Sequence, residues 1–160
     1  MSNPKKFIFS PTDFNEHHVL KAPSLFILVL LYLNKYFLLV VLPNMPMMGN
    51  MNETVKWFKI DFLMMGSCLP ALAVLIALLY RIPTAKEWAK TIWKNGLVLL
   101  LLSIAMDFVI LSTYIAIDKR ILDTGTIILL LIDAAIMAYL FRSPYLKEMF
   151  KEFPEESEKK

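Results

Sequence analysis

Residues 24–43 read SLFILVLLYLNKYFLLVVLP. The run Leu25–Leu42 is apolar and long enough to cross a bilayer, whose hydrocarbon core takes about 20 helical residues. Near its middle stand Asn34 and Lys35. A lysine at that depth costs roughly 2.5–3.5 kcal/mol on insertion scales unless a partner answers it. The organisation of the chain therefore turns on where that answer lies.

Three further runs share the length and the apolarity. They are Asp61–Tyr80 (DFLMMGSCLPALAVLIALLY), Gly96–Ile117 (GLVLLLLSIAMDFVILSTYIAI) and Gly125–Arg142 (GTIILLLIDAAIMAYLFR). In lipid a lone run of this kind can satisfy its backbone only as a helix. None has a polar face, which argues against a soluble bundle. The composition agrees: 58% of the 160 residues are hydrophobic, where soluble domains sit near 45–50%. The fold class expected is an all-α polytopic membrane protein, one domain over residues 1–160. Its four transmembrane helices lie at about 24–42, 61–80, 96–117 and 125–142, with short amphipathic interfacial helices. No small-residue cleavage site follows the first run, so it is expected to remain as an anchor rather than a signal peptide.

Lysine and arginine set the orientation. The segment before the first run, the loop at 81–95 and the tail from Arg142 onward together hold twelve of them; the other two loops hold Lys56, Lys59, Lys119 and Arg120. The positive-inside rule then puts both termini in the cytoplasm. A net charge of +3 distributed in this way reads as topology and not as a nucleic-acid surface.

Between the second and third runs, RIPTAKEWAKTIWKNG predicts an amphipathic helix over about 84–95. Thr84 and Glu87 have capping-box spacing. Ala85, Trp88, Ala89, Ile92 and Trp93 form one stripe and Lys86, Lys90 and Lys94 another. Such a helix lies in the interface, with tryptophans among the headgroups and lysines toward anionic lipid. In the cytoplasmic tail, 143–160, Leu146, Met149, Phe150 and Phe153 line a second short helix. Past Pro154 the composition is that of a disordered segment. The tight loop IDKRILDTG pairs the third and fourth runs as a hairpin. In the second run Gly66, Ser67, Ala71, Ala73 and Ala77 favour close helix approach, and Pro70 predicts a kink.

Lys35, Asp107 and Asp133 each fall near the middle of a run. At about 1.5 Å rise per residue they share one depth, and intramembrane charges usually pair or face the bundle interior. These three are the candidate site, an intramembrane charge cluster joining spans one, three and four. One lysine neutralises one aspartate. The other needs a proton, water or a polar partner such as Asn34, Ser103 or Ser112, and is a candidate carrier of a transferable proton.

No catalytic, cofactor or metal set stands out. A single cysteine, Cys68, excludes an intrachain disulfide and the usual zinc sets. His17 and His18 are the only histidines. Met45, Met47, Met48 and Met51 make a thioether cluster of the kind that holds Cu(I); the plainer reading is adaptable packing at the lipid boundary. Trp57 and Phe58 read as interfacial anchors, and Asn52-Glu53-Thr54 matches a glycosylation acceptor. There is no nucleophile elbow or phosphate loop.

The blocks DFNEHHVLKAP, LNKYFLL, LPAL and DAAIMAYLFRSPYLKEMFKEFPE resemble the YfeZ-like inner-membrane proteins of gammaproteobacteria, a family of unknown function. The resemblance spans nearly the whole chain. It departs at His18, where the family commonly has glycine, at Ala22, where it has proline, and at Lys35, where it has arginine. It implies a multi-helix protein of the bacterial inner membrane and brings no active-site residues. The functional expectation is a non-enzymatic scaffold or accessory subunit. The alternative is a small oligomeric proton-coupled or ion-conducting permease. The partners expected are the lipid bilayer, then a second copy or another membrane protein.

Overall fold

The computed structural model describes Phe14 and residues 19–41 and 62–154. The methionine cluster, Trp57, Phe58, the Asn52 acceptor, His17, His18 and the end of the tail lie outside the described residues. Among the described residues seven helices follow in order: α1 Ser24–Leu33, α2 Lys35–Val41, α3 Phe62–Leu79, α4 Glu87–Lys94, α5 Gly96–Ala116, α6 Thr124–Arg142 and α7 Pro144–Met149. The molecule is an all-α polytopic membrane protein. Helices α3, α5 and α6 are each long and apolar enough to cross a bilayer, and α1 with α2 meets the same test as a bent pair. Only 33% of the apolar window of α3 and of α5, and 22% of that of α6, is buried inside the protein. The rest is an outward belt of residues such as Leu69, Val98, Val109 and Leu131, which lipid must cover.

The first run is not one straight helix. It breaks at Asn34 with a bend of 68° between α1 and α2, where one continuous helix is expected over 24–42. Asn34 sits at φ −94°, ψ 13°. Its side-chain Nδ2 and its backbone N–H both donate to the Leu30 carbonyl, at 2.8 and 3.1 Å. Asparagine competes with the helix ladder in this way. A break inside hydrocarbon is tolerated where protein covers it, and Leu33, Asn34 and Tyr36 are all buried. The ladder resumes when Leu38 N–H donates to the Asn34 carbonyl. Helix α3, by contrast, continues through Pro70 without a break.

Helix α3 packs most extensively on α5, and α5 on α6; α1 and α2 lie against α3, and α4 against α3 and α5. Ser67, Ala71 and Ala77 face the core as expected of small residues, whereas a side chain at Gly66 would meet open space. At one end of the bundle Phe26, Leu30, Ala71, Val74, Leu100, Ile104, Leu140 and the α7 residues Leu146 and Met149 form the main apolar cluster. Toward the other end Tyr36, Met64, Cys68, Leu111 and Tyr114 form a smaller one. Between α5 and α6 the chain turns with Asp118 in the left-handed region at φ 54°. Asp123 then caps α6, its Oδ1 accepting from Thr126 N at 2.7 Å. Hydrogen bonds from Thr126 hold that carboxyl below the usual carboxylate range.

Helix α4 departs from expectation in two respects. It starts at Glu87 with Lys86 at its N-cap and no side-chain cap, so Thr84 forms no capping box. The reason is local: Ala85 N–H closes a turn onto the Ile82 carbonyl, and the Glu87 carboxylate takes Lys90 Nζ at 2.7 Å. The tryptophans also divide. Trp88 is half exposed against Tyr80, while Trp93 is fully buried. Trp93 packs on Phe26 and Phe150 and donates Nε1–H to the Met149 and Glu152 carbonyls, each at 3.0 Å.

Around Trp93 the segment just before α1 and the segment just after α7 are tied together. Arg81, buried and stacked over the Trp93 ring at 4.6 Å, donates Nη1 to the Leu20 carbonyl at 2.7 Å and Nη2 to the Glu152 carbonyl at 3.1 Å. Leu20 N–H donates in turn to Glu152 Oε2 at 2.9 Å. Burial pushes the Arg81 guanidinium down to about 10, which still leaves it charged at neutral pH. The start of α5 meets this knot so closely that a Cβ on Gly96 would lie 2.2 Å from the Phe150 ring. A hydrogen bond from a charged donor contributes about 1.5–3 kcal/mol. Arg81→Met is therefore expected to lower stability by roughly 3 kcal/mol, read as a drop in the thermal unfolding midpoint in detergent. Arg81→Lys should recover part of the loss.

Candidate functional site

The two apolar clusters are separated by a polar layer. On α5, Ser103 and Asp107 bracket Ile104 of the larger cluster, and Leu111 of the smaller one lies a turn beyond. On α6, Asp133 precedes Ile136 of the larger cluster. At the α1–α2 break, Asn34 and Lys35 separate Leu33 from Tyr36. Ser67 on α3 belongs to the same layer, its backbone carbonyl accepting from Ser103 Oγ at 2.5 Å. Asn34, Ser67, Ser103, Asp107 and Asp133 are all buried.

All three charges foreseen from the sequence meet here. Lys35 Nζ forms an ion pair and hydrogen bond with Asp107 Oδ2, linking the break in the first run to the middle of α5. The side chains are 14% and 4% exposed, so water does little to weaken the attraction. The ammonium also lies 4.1 Å from the centre of the Tyr32 ring and 4.6 Å from that of Tyr36. A desolvated cation over an aromatic face gains about 2 kcal/mol. Lys35 is thus held by one carboxylate and two rings.

Asp133 does have a polar partner, but it is none of Asn34, Ser103 and Ser112. Tyr32 donates its hydroxyl proton to Asp133 Oδ1 at 2.8 Å, with the Leu129 carbonyl at 3.4 Å as a second acceptor. Tyr32 therefore joins the cluster twice, its ring on Lys35 and its hydroxyl on Asp133. Asn34 turns to its own backbone and Ser103 to Ser67, and neither bonds to a carboxylate. Asp133 Oδ2 and Asn34 Oδ1 are buried without a hydrogen-bond partner among the described residues.

Tyr32 and Tyr36 were not singled out in the sequence, although a signal was there. Both flank Lys35, and Tyr32 sits one helical turn before it. A phenol hydroxyl at mid-span depth needs a partner as a charge does. No group of three or more metal-ligating side chains occurs among the described residues, and Cys68 is buried against the Met64 carbonyl.

Breaking a buried pair by removing one partner costs about 3–5 kcal/mol in proteins. Lys35→Ala and Asp107→Asn should each lower the amount of folded protein recovered and its thermal midpoint. The double variant should be no worse than the worse single one. Losses that simply add would show that the two side chains are not coupled.

A family model described as a protein of unknown function, DUF2919, matches residues 9–152. No curated protein and no solved structure matches the chain.

Proposed function

The chain belongs to the DUF2919 family of unknown function, and on that premise we propose that it is a non-enzymatic scaffold or accessory subunit of a bacterial inner membrane. The carrying observation is the way its intramembrane charges are matched. Lys35 is closed by Asp107, and Asp133 by Tyr32, across three different segments of the chain. Matched buried polar groups of this kind can specify which helices meet. The proposed placement has both termini in the cytoplasm, with α1 and α2 together forming the first span. The excess of lysine and arginine at 81–94 and 142–160 supports it, as does the resemblance to YfeZ-like inner-membrane proteins.

A second reading has one observation in its favour. Asp133 Oδ2 lacks a partner among the described residues and lies in the same layer as a broken helix. Charges beside broken helices are a recurrent feature of transporters. An oligomeric proton-coupled or ion-conducting permease working through Lys35, Asp107 and Asp133 would use that oxygen.

Purified full-length protein in liposomes distinguishes the two. A scaffold gives no proton flux above empty liposomes, and on mild solubilisation and crosslinking it comes away with another membrane protein or with copies of itself. Proton flux that Asp133→Asn abolishes overturns the scaffold in favour of the permease. Topology is checked separately. A reporter active only outside the cytoplasm should work when fused within residues 45–52 and fail when fused at Lys86. The reverse pattern overturns the orientation.

A further inference from the structure

On the outer face of α5 and α6 runs an apolar groove of about 350 Å³ lined by Phe108, Ala134, Met137, Ala138 and Phe141. Its lining follows helical spacing. Ala134 and Ala138 are four residues apart on α6, as are Met137 and Phe141, so the alanines leave a shallow channel beside the larger side chains. Phe108 supplies the opposite wall from α5. Phe108, Ala134, Ala138 and Phe141 are exposed.

The groove has a direction. It begins beside the mid-span aspartates, since Phe108 follows Asp107 and Ala134 follows Asp133. It runs toward the C-terminal end of α6. The next position in the Ala134–Ala138 series is Arg142, exposed in the last turn of α6 and without a hydrogen-bond or ion-pair partner among the described residues. From Ala134 to Arg142 the helix rises roughly 12 Å, close to the ~15 Å depth of one leaflet's hydrocarbon. The apolar channel, lined as far as Phe141, therefore runs toward a cation that is unpartnered among the described residues, with a second exposed cation, Lys147, in the following short helix.

We propose that this groove is a binding site for one anionic phospholipid of the leaflet at the Arg142 end, its acyl chain along Ala134 and Ala138 and its phosphate on Arg142. Charge complementarity selects this occupant over a second copy of the chain. Two parallel copies joined along the alanine row would form a self-complementary interface, bringing Arg142 against its own symmetry mate with a like-charge penalty. A lipid phosphate presents the opposite charge at the same depth and accepts the guanidinium in its favoured two-pronged geometry.

The test uses the full chain in vesicles of phosphatidylcholine and phosphatidylglycerol, with a photoreactive acyl chain on one lipid or the other. Crosslinked positions are mapped by mass spectrometry. Labelling from phosphatidylglycerol should concentrate on Met137 and Phe141 and exceed that from phosphatidylcholine. Arg142→Gln should reduce the preference about fivefold, the effect of one basic residue near an anionic surface, and Arg142→Lys should retain most of it. Ala138→Leu, which fills the channel, should remove labelling at Met137 and Phe141. Arg142 is exposed, so its variants test the site even if Ala138→Leu does not fold. Labelling spread evenly around α3, α5 and α6, equal labelling from the two lipids, or chain-to-chain crosslinks across Ala134 and Ala138 would each overturn the site.

Discussion

A lysine in the hydrocarbon layer is the constraint on which the rest of this structure depends. Left alone, Lys35 would oppose insertion of the first run by a few kcal/mol. The bundle meets it with the Asp107 carboxylate and the faces of Tyr32 and Tyr36. To do so the chain must bring α1 and α2 to α5 at one depth, which sets the relative height of those segments. Asp133 adds α6 to the same layer through the Tyr32 hydroxyl. Lipid is as apolar as the leucines it surrounds, so apolar contact alone is a weak guide to which spans meet. The polar layer supplies that guide, and the two apolar clusters close over it from either side.

The end of the bundle carrying α4 and α7 is organised by a different interaction. There a buried arginine and a buried tryptophan satisfy backbone carbonyls contributed by Leu20, Met149 and Glu152. These contacts draw together the segment before the first span, the loop after α3 and the segment after α6. Their effect is to turn two short helices that could have lain loosely on a membrane surface into parts of the packed protein. The missing side chain at Gly96 permits it, because Phe150 occupies the space a Cβ would need.

Much of the sequence reading stands because it rests on local properties. The bounds of α3, α5 and α6 fall within a residue or so of the runs read from apolarity alone. The buried face of α7, through Leu146, Met149 and Phe150, matches the stripe read from spacing. The readings that changed concern competition between neighbours. Thr84 lost its capping role to a turn at Ile82–Ala85, and Trp93 went into the core because a buried arginine and two phenylalanines were waiting there. Pro70, the residue most expected to disturb a helix, sits within an unbroken one, while the break occurs at an asparagine that can supply its own hydrogen bond.

What the sequence by itself determined is the class of object: several helices long and apolar enough for a bilayer, and three charges at a common depth that had to be answered. Apolar length and helical rise are properties of a stretch of chain, so they are legible without knowing its neighbours. Only the tertiary structure decided how the answer is arranged. Lys35 chose Asp107, 72 positions away, and Asp133 took Tyr32, 101 positions away. The Leu20 amide found Glu152 across 132 positions. Such choices depend on which side chains arrive at the same point once the spans have packed, and no pattern along the chain carries that information.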